Sequence, residues 1–289
     1  MIDPKQAAVC LTRDDGRTFS AVGSADAADW GLSDISGLDA PDFQVSTQDN
    51  AVGDGQTVTA KRVSSREISF TASCRNAALG DVMRRAAVSF FSPKHRYKLT
   101  VAYRGAQRWI DAELSAFSCP SGNVYRTVEL TALLLCPDPY FRSMDEFGRD
   151  IASVQGRFGF PYVDHPVKGF VAAAYNFART VLIDNDGDVD TFATAVFEAT
   201  GDVANPELII GGAHVRILDT MAARDVVTID LARTRVTKNG ANILARVDRA
   251  SSFTGMRFAP GQNTVKYAAS VGENVLRVTL YYNKLYLGV

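Results

Sequence analysis

The sequence predicts a mainly β protein of two domains, with one helix in the first. Apolar residues recur with a period of two along most of the chain, and with a helical period in one place. Short strand-like segments separated by Gly, Pro, Asn and Asp fill the second half. The 289 residues suffice for about two domains of ~100–200 residues, each with its own core.

Taken in order, a hairpin opens the chain: residues 9–12 and 18–22 flank the turn signal Asp14-Asp15-Gly16. Segments 43–48 and 57–63, joined by the Gly-rich stretch 49–56, suit a long hairpin extending from the body. Its glycines, Gly53 and Gly55, equally fit a flexible exposed loop. Ile68, Phe70 and Ala72 then alternate with Glu67, Ser69 and Thr71. The helix is expected over about 76–91, with Leu79, Val82, Met83, Ala86 and Phe90 at helical spacing and Pro93 beyond its end. Asp81 lies early and Arg84 and Arg85 later, as the helix dipole favours. Three more alternating segments follow, carried by Tyr97, Leu99, Val101 and Tyr103, by Ile110, Ala112 and Leu114, and by Val128, Leu130, Ala132 and Leu134. Each reads as a strand with one wet face.

Composition shifts after Cys136-Pro137-Asp138-Pro139-Tyr140-Phe141, and the text turns irregular, with Gly148, Gly156, Gly159, Pro161 and Pro166. The division expected is a first domain of residues 1–142, a linker of 143–168 rich in aromatics (Phe147, Phe158, Phe160, Tyr162), and a second domain of 169–289. The second resumes as strands alone, at 181–184, 195–200, 207–210, 226–230, 234–238, 264–267 and 275–282, the spacing of a sandwich or jelly roll.

Charge excludes several classes of function. With 31 basic against 32 acidic side chains, the net of −1 argues against a nucleic-acid binder. No run of about 18 apolar residues is present to span a membrane. Met1-Ile2-Asp3-Pro4-Lys5 has no apolar signal core and reads as a cytosolic N-terminus. Cys10, Cys74, Cys119 and Cys136 form no CxxC pair and are expected as reduced thiols. Charge is segregated, however. Residues 1–60 carry 3 basic and 10 acidic side chains, net −7, and residues 61–149 carry 14 basic and 8 acidic, net +6. The two segments neutralise each other within one domain, or protomers dock acidic face on basic face head to tail. In the second case Lys61, Arg62, Arg84 and Arg85 are the candidate contacts.

No motif for catalysis or metal binding is complete in the sequence. The run from Asp184 to Asp190 resembles a calcium loop, but Val189 and Ala195 stand where that loop needs Gly and Glu. His95, His165 and His214 fall in no zinc-binding spacing. No GxSxG or GxGxxG is present, and Gly211-Gly212 reads as a loop. Asp111 and Glu113 share a strand face that reads as solvated rather than as a glycosidase pair. Trp30, Trp109 and Tyr281, Tyr282 and Tyr286 raise a sugar-stacking platform, yet alternation puts Tyr282 on the core face and leaves Tyr281 outside. No enzyme activity, cofactor or metal is expected.

Several motifs, in their order, resemble the distal tail proteins of long-tailed, non-contractile phages. They are Gly37-Leu38-Asp39-Ala40-Pro41 before a strand; Arg66-Glu67-Ile68-Ser69-Phe70; Phe90-Phe91-Ser92-Pro93 closing the helix, followed by Tyr97-Lys98-Leu99; and Cys136-Pro137-Asp138-Pro139-Tyr140-Phe141. In the second half they are Asn185-x-Gly187-Asp188, Val227-Thr228-Ile229-Asp230 with Val236-Thr237-Lys238-Asn239-Gly240, and Pro260-Gly261-x-Asn263. The resemblance implies a structural role in the virion, made in the host cytoplasm. The first domain would form a hexameric ring between tail tube protein and tail hub, and the second would be a galectin-like sandwich projecting outward. Partners in such a reading are sister copies, the tube, the hub, the tape measure and, in some relatives, receptor-binding proteins. The long hairpin would then reach an adjacent subunit or the tube ring, which adds Gly53 and Gly55 to Lys61, Arg62, Arg84 and Arg85 as candidate inter-subunit contacts. A carbohydrate-binding protein using the second domain is the alternative, and a β-rich glycan hydrolase a third reading.

Overall fold

The computed structural model describes residues 7–23, 29–76, 79–120, 127–144, 147–156, 173–177 and 180–289. The expected N-terminus Met1–Lys5, the linker aromatics Phe158, Phe160 and Tyr162, and His165 lie outside them. Two units result, Met1–Met144 with Leu285–Val289, and Asp145–Lys284.

In the first unit the chain runs through β1 (Ala7–Arg13), β2 (Thr18–Val22), β3 (Trp30–Ser36), β4 (Phe43–Asp49), β5 (Gln56–Val63) and β6 (Arg66–Cys74). The helix α1 (Gly80–Phe90) and strands β7 (Arg96–Tyr103), β8 (Ala106–Ser118), β9 (Glu129–Cys136) and β10 (Phe141–Ser143) follow. The strand order β8-β7-β1-β2-β3-β6-β9 closes on itself because β9 also pairs with β8. The 13-residue β8 makes this possible: its first part pairs with β7, and past a bulge between Leu114 and Ala116 it pairs with β9. Closure leaves these seven strands without a bare edge. The alternation reads out as expected: Ile68, Phe70, Ala72, Tyr97, Leu99, Val101, Ile110, Ala112, Leu130, Ala132 and Leu134 are all buried.

Phe19, Phe70, Phe90, Phe91 and Tyr97 pack into one aromatic cluster, with Phe90 and Phe91 edge to face at 5.0 Å. Tyr97 ties it to the helix end: its hydroxyl donates to the Phe90 carbonyl (3.0 Å) and accepts the Ser92 N–H (2.7 Å). Arg13 donates to the Ser89 and Phe90 carbonyls, placing a cation at the helix C-terminus. The helix departs from expectation in its buried face. Gly80, Ala87 and Phe90 are buried and Met83 partly so, whereas Leu79 and Val82 are 44% and 65% exposed. Period and register survive, but small residues form the contact line. A side chain at Gly80 would meet Val128 at 3.2 Å, so the backbone approaches the barrel where apolarity alone predicts no contact.

The second unit comprises β11 (Phe147–Gly156), β12 (Ala173–Phe177), β13 (Thr180–Asn185), β14 (Thr194–Ala199), β15 (Val203–Ala204), β16 (Glu207–Ile210) and β17 (Ala213–Arg216). It continues with β18 (Thr220–Met221), β19 (Val226–Asp230), β20 (Arg235–Lys238), β21 (Ala241–Asn242), β22 (Gly261–Ala268) and β23 (Leu276–Tyr282). A sheet ordered β12-β11-β23-β14-β19-β20-β21 and another ordered β13-β22-β16-β17 share one core. Phe197, Ile229, Val278 and Leu280 enter it from the first sheet, and Ile183, Leu208, Val215 and Val265 from the second. The sandwich expected from strand spacing is borne out. So is the split of Tyr282, 7% exposed, from Tyr281, 43% exposed. Gly211 and Gly212, with φ of 58° and 97°, turn the β16–β17 hairpin, as a loop should.

Two expectations need correction. The glycine-bearing stretch after Ser143 is not irregular throughout, since residues 147–156 form β11 between β23 and β12. The open edge of β23 supplies a ladder that outweighs the poor strand propensity of Gly148 and Gly156. The second domain also does not run unbroken to residue 289: a last strand, β24 (Leu285–Tyr286), pairs with β10 and belongs to the first unit. Two residues of strand carry too weak a pattern to be read.

Candidate assembly surface

Arg66 begins β6, is 3% exposed, and gathers four chain segments. Its guanidinium donates to the Pro139 carbonyl (2.9 Å), the Gly37 carbonyl (2.8 Å), and the carbonyls of Asp39 and Leu287. Burial lowers its pKa, and burial also pushes the Cys136 thiol opposite it up to about 12, against the pull of the guanidinium. Arg108 holds the same C-terminal segment, donating to the Gly288 carbonyl and lying 3.6 Å from the centre of the Tyr286 ring. Gly37 adopts φ +82°, and a Cβ there would fall 2.0 Å from the Glu67 carbonyl oxygen. The motif around Gly37, the motif at Arg66 and the Asp138-Pro139-Tyr140-Phe141 motif are therefore three sides of one joint. Sequence reading missed this role for Arg66 and Arg108, because a carbonyl partner leaves no mark on composition.

The joint sits at the root of an arm. The Ser64 N–H donates to the Asp42 carbonyl (2.9 Å), and from there β4 and β5 leave as a separate two-stranded sheet. Register pairs Phe43 with Val63, Val45 with Lys61 and Thr47 with Val58, past a bulge after Ser46. Cross-strand partners share a face, so Phe43, Val45, Val58 and Val63 line one side while Gln44, Ser46, Gln48 and Arg62 line the other. Phe43, Val45 and Val58 are 63%, 54% and 49% exposed. An amphipathic ribbon of two strands has no core of its own, and a bare apolar face of this kind marks an interaction surface. Phe43-x-Val45 was the signal for it, legible as a half-strand pattern with nothing to bury against.

The six candidate contact residues are distributed unequally. Lys61 and Arg62 are exposed on opposite faces of the arm, and Gly53 and Gly55 are exposed at its tip with φ of 96° and 97°. Arg85 is exposed on α1, whereas Arg84 is half-buried and donates to the Cys119 carbonyl of its own unit (3.2 Å). The structure brings together Lys61, Arg62, Gly53 and Gly55 on one element and leaves Arg84 and Arg85 on another.

The remaining candidates resolve into structural roles. Asn185 is fully buried, donates to the Val189 (3.2 Å) and Phe258 (3.1 Å) carbonyls and accepts the Gly187 N–H, so the acidic run is a turn built around an amide. Asp186 and Asp190 pair with Lys284 and Arg257. Among the described residues no group of three His, Cys, Asp or Glu is placed to hold a metal ion. The His95 Nδ1–H donates to the Asp14 carboxylate at 2.7 Å; Asp111 and Glu113 pair with Arg142 and Arg96. Trp30 is core, and Trp109 lies under Lys98 and Arg142 with its indole N–H on the Ser143 carbonyl. All four cysteines are free thiols. No helix among the described residues is long and apolar enough to cross a membrane.

Comparison with known proteins falls on this geometry. Residues 186–286 match the family of siphovirus-type tail components, C-terminal domain. The crystal structure of the SPP1 Dit (gp 19.1) protein, described as a paradigm of the hub adsorption apparatus in phages infecting Gram-positive bacteria, superposes with a TM-score of 0.68 at 12% identity. The alignment covers 96% of this chain and 98% of that one. Chains of the phage P2 baseplate in its activated conformation, with calcium and with strontium, superpose at a TM-score of 0.49, with 9% and 10% identity over 95% of this chain and 97% of theirs. No curated protein matches the chain in sequence. The resemblance to siphophage distal tail proteins, drawn from motif order, is borne out by the tail-component match at residues 186–286 and by a fold shared with SPP1 Dit over 96% of the chain.

Proposed function

We propose that this protein is a non-enzymatic structural component of the tail tip of a long-tailed phage or prophage. It forms a sixfold distal-tail ring joining the tail tube to the hub or baseplate, and its second unit is available to receptor-binding proteins. Its place is the virion, after synthesis in the host cytoplasm. Its partners are sister copies, tube, hub and tape measure. The observation that carries the reading is the conjunction of a siphovirus tail-component domain at 186–286 with an apolar-faced arm exposed in the first unit.

In the ring, the arm reaches an adjacent subunit or the tube above, and Lys61, Arg62, Arg84, Arg85, Gly53 and Gly55 are the contacts. Head-to-tail docking of this kind uses two different patches of one chain and closes when the rotation permits.

The test is electron microscopy and mass photometry of the purified chain, alone and with its tube and hub partners. Rings at a tube end are expected. Charge reversal at Lys61 and Arg62, or deletion of residues 51–55, is expected to abolish them. Unaltered rings in these variants exclude the arm contact. A solitary chain that ignores every tail partner overturns the ring itself, and saturable sugar binding lost in Tyr281→Ala redirects the reading to glycan recognition.

A further inference from the structure

A groove of about 660 Å³ opens in the first unit between α1 and the β2–β3 region, at the other end of β3 from the arm. Phe19, Trp30 and Phe90 form its floor, and Met83 and Ala86 its helix wall. Leu79, Val82 and Ala86 repeat at helical spacing and are all exposed, so they extend the apolar wall along the outside of the helix. Exposed Asp29 stands on the rim; Arg17, also on it, is paired with Asp15 at 3.5 Å.

We infer that this groove is the acceptor for the arm of a second copy of the chain, with Phe43, Val45 and Val58 against the helix wall of Leu79, Val82 and Ala86 and Lys61 toward Asp29. This deepens the ring reading and rests on it. Four observations converge. First, the arm's apolar face is uncovered, and so are Leu79 and Val82 on the helix beside the groove, at 44% and 65%, while the floor aromatics are already buried in the core; each exposed apolar strip can cover the other. Second, Lys61 shares the apolar face of the arm and exposed Asp29 stands on the rim of the groove, so one opposite-charge pair favours the docking. Third, exposure of β4 and β5 along nearly their whole length shows that the arm does not occupy the groove of its own copy. Fourth, Trp30 begins β3 and the arm departs beyond its last residue, Ser36, which sets donor and acceptor about 20 Å apart along the strand at ~3.3 Å per residue. Donor and acceptor at opposite ends of one element make a heterologous contact, which propagates from copy to copy.

The test places the photoreactive residue p-benzoylphenylalanine at Phe43 in the full chain and maps crosslinked dimers by mass spectrometry. Crosslinks are expected in peptides carrying residues 18–20, 30 or 86–90 of the partner copy. Ala86→Arg puts a bulky cation on the helix wall that the apolar face of the arm would meet and is expected to lower the yield about tenfold. Ala86 is exposed and Arg is a good helix former, so this variant keeps the wild-type circular dichroism and melting temperature. Crosslinks confined to another surface of the neighbour overturn the groove assignment and leave the ring reading standing. Crosslinked yield unchanged in Ala86→Arg overturns the groove likewise. Absence of any crosslinked dimer at high protein concentration overturns both.

Discussion

The Arg66 guanidinium lies 4.7 Å from the centre of the Phe141 ring and closes a joint between residues 75 positions apart in sequence. An aromatic face beneath and carbonyls around it suit a planar five-donor fork and not a point charge. Arg66→Lys is therefore expected to be nearly as damaging as Arg66→Met, with each costing about 3 kcal/mol or more, since several buried carbonyls lose a charged donor. Urea unfolding of both variants checks this. A lysine variant within about 0.5 kcal/mol of wild type would show that the charge alone suffices.

Gly37 and Gly53 share a positive φ, of 82° and 96°, and differ in what surrounds them. A Cβ at Gly37 collides with the Glu67 carbonyl, while one at Gly53 meets nothing within 4 Å. Gly37→Ala is expected to destabilise by about 2–4 kcal/mol, strain plus collision, and Gly53→Ala by about 1 kcal/mol or less. Thermal melts of the two variants side by side decide it; equal losses would mean that the collision is relieved by movement of β6.

These two positions also show what the sequence makes legible. Alternation at Ile68-x-Phe70-x-Ala72 and Leu130-x-Ala132-x-Leu134 is a local signal of one wet and one buried face, so the strands are readable from neighbours two residues apart. The arm is readable for the same reason. Barrel closure is not, because it depends on a bulge in β8 that lets one strand serve two partners. Nor is the return of Leu285–Tyr286, whose pairing is decided by β10 and Arg108 more than a hundred residues earlier. The helix face fails differently: Gly80 and Ala87 make contact by being small, which a count of apolar residues overlooks.

Exposure of the arm separates assembly from folding. Val45→Ser and Val58→Ser remove apolar surface that the isolated chain leaves half in water, and are expected to shift unfolding free energy by less than about 0.5 kcal/mol each. The same pair is expected to lower ring formation or the crosslink yield from Phe43. Denaturation curves and particle counts on one preparation provide both readings. A large loss of stability would place the arm against its own body.

Asn185 fixes the acidic turn through three hydrogen bonds made in full burial. Asn185→Ala is expected to cost about 2–4 kcal/mol, because the Val189 carbonyl and the Gly187 N–H lose this partner together and the Phe258 carbonyl is left with the Thr191 N–H. Calcium is expected to leave the melting temperature of the wild-type chain unchanged, since the amide occupies the centre of the turn. A rise in melting temperature with calcium would return the run to the metal sites.

Acid sensitivity is expected to trace in part to Asp225. Its carboxylate accepts from the Asn239 amide (2.8 Å), the Ala222 N–H (2.9 Å) and the Lys238 ammonium (3.0 Å). Those donors, the Asn239 amide foremost, hold its pKa at about 2, below the ordinary 3.8. The folded pKa is the depressed one, so the carboxylate contributes stability above about pH 4 that is lost as pH falls through about 2. Asp225→Asn lacks the charge at every pH. Its deficit against wild type is therefore expected to be full at neutral pH, to narrow between about pH 4 and 2, and to be smallest at the acid end. Melting temperatures of the two proteins across that range measure the gap. A gap of constant size would mean that Asp225 acts through shape and hydrogen-bond count, with its charge contributing nothing to the fold.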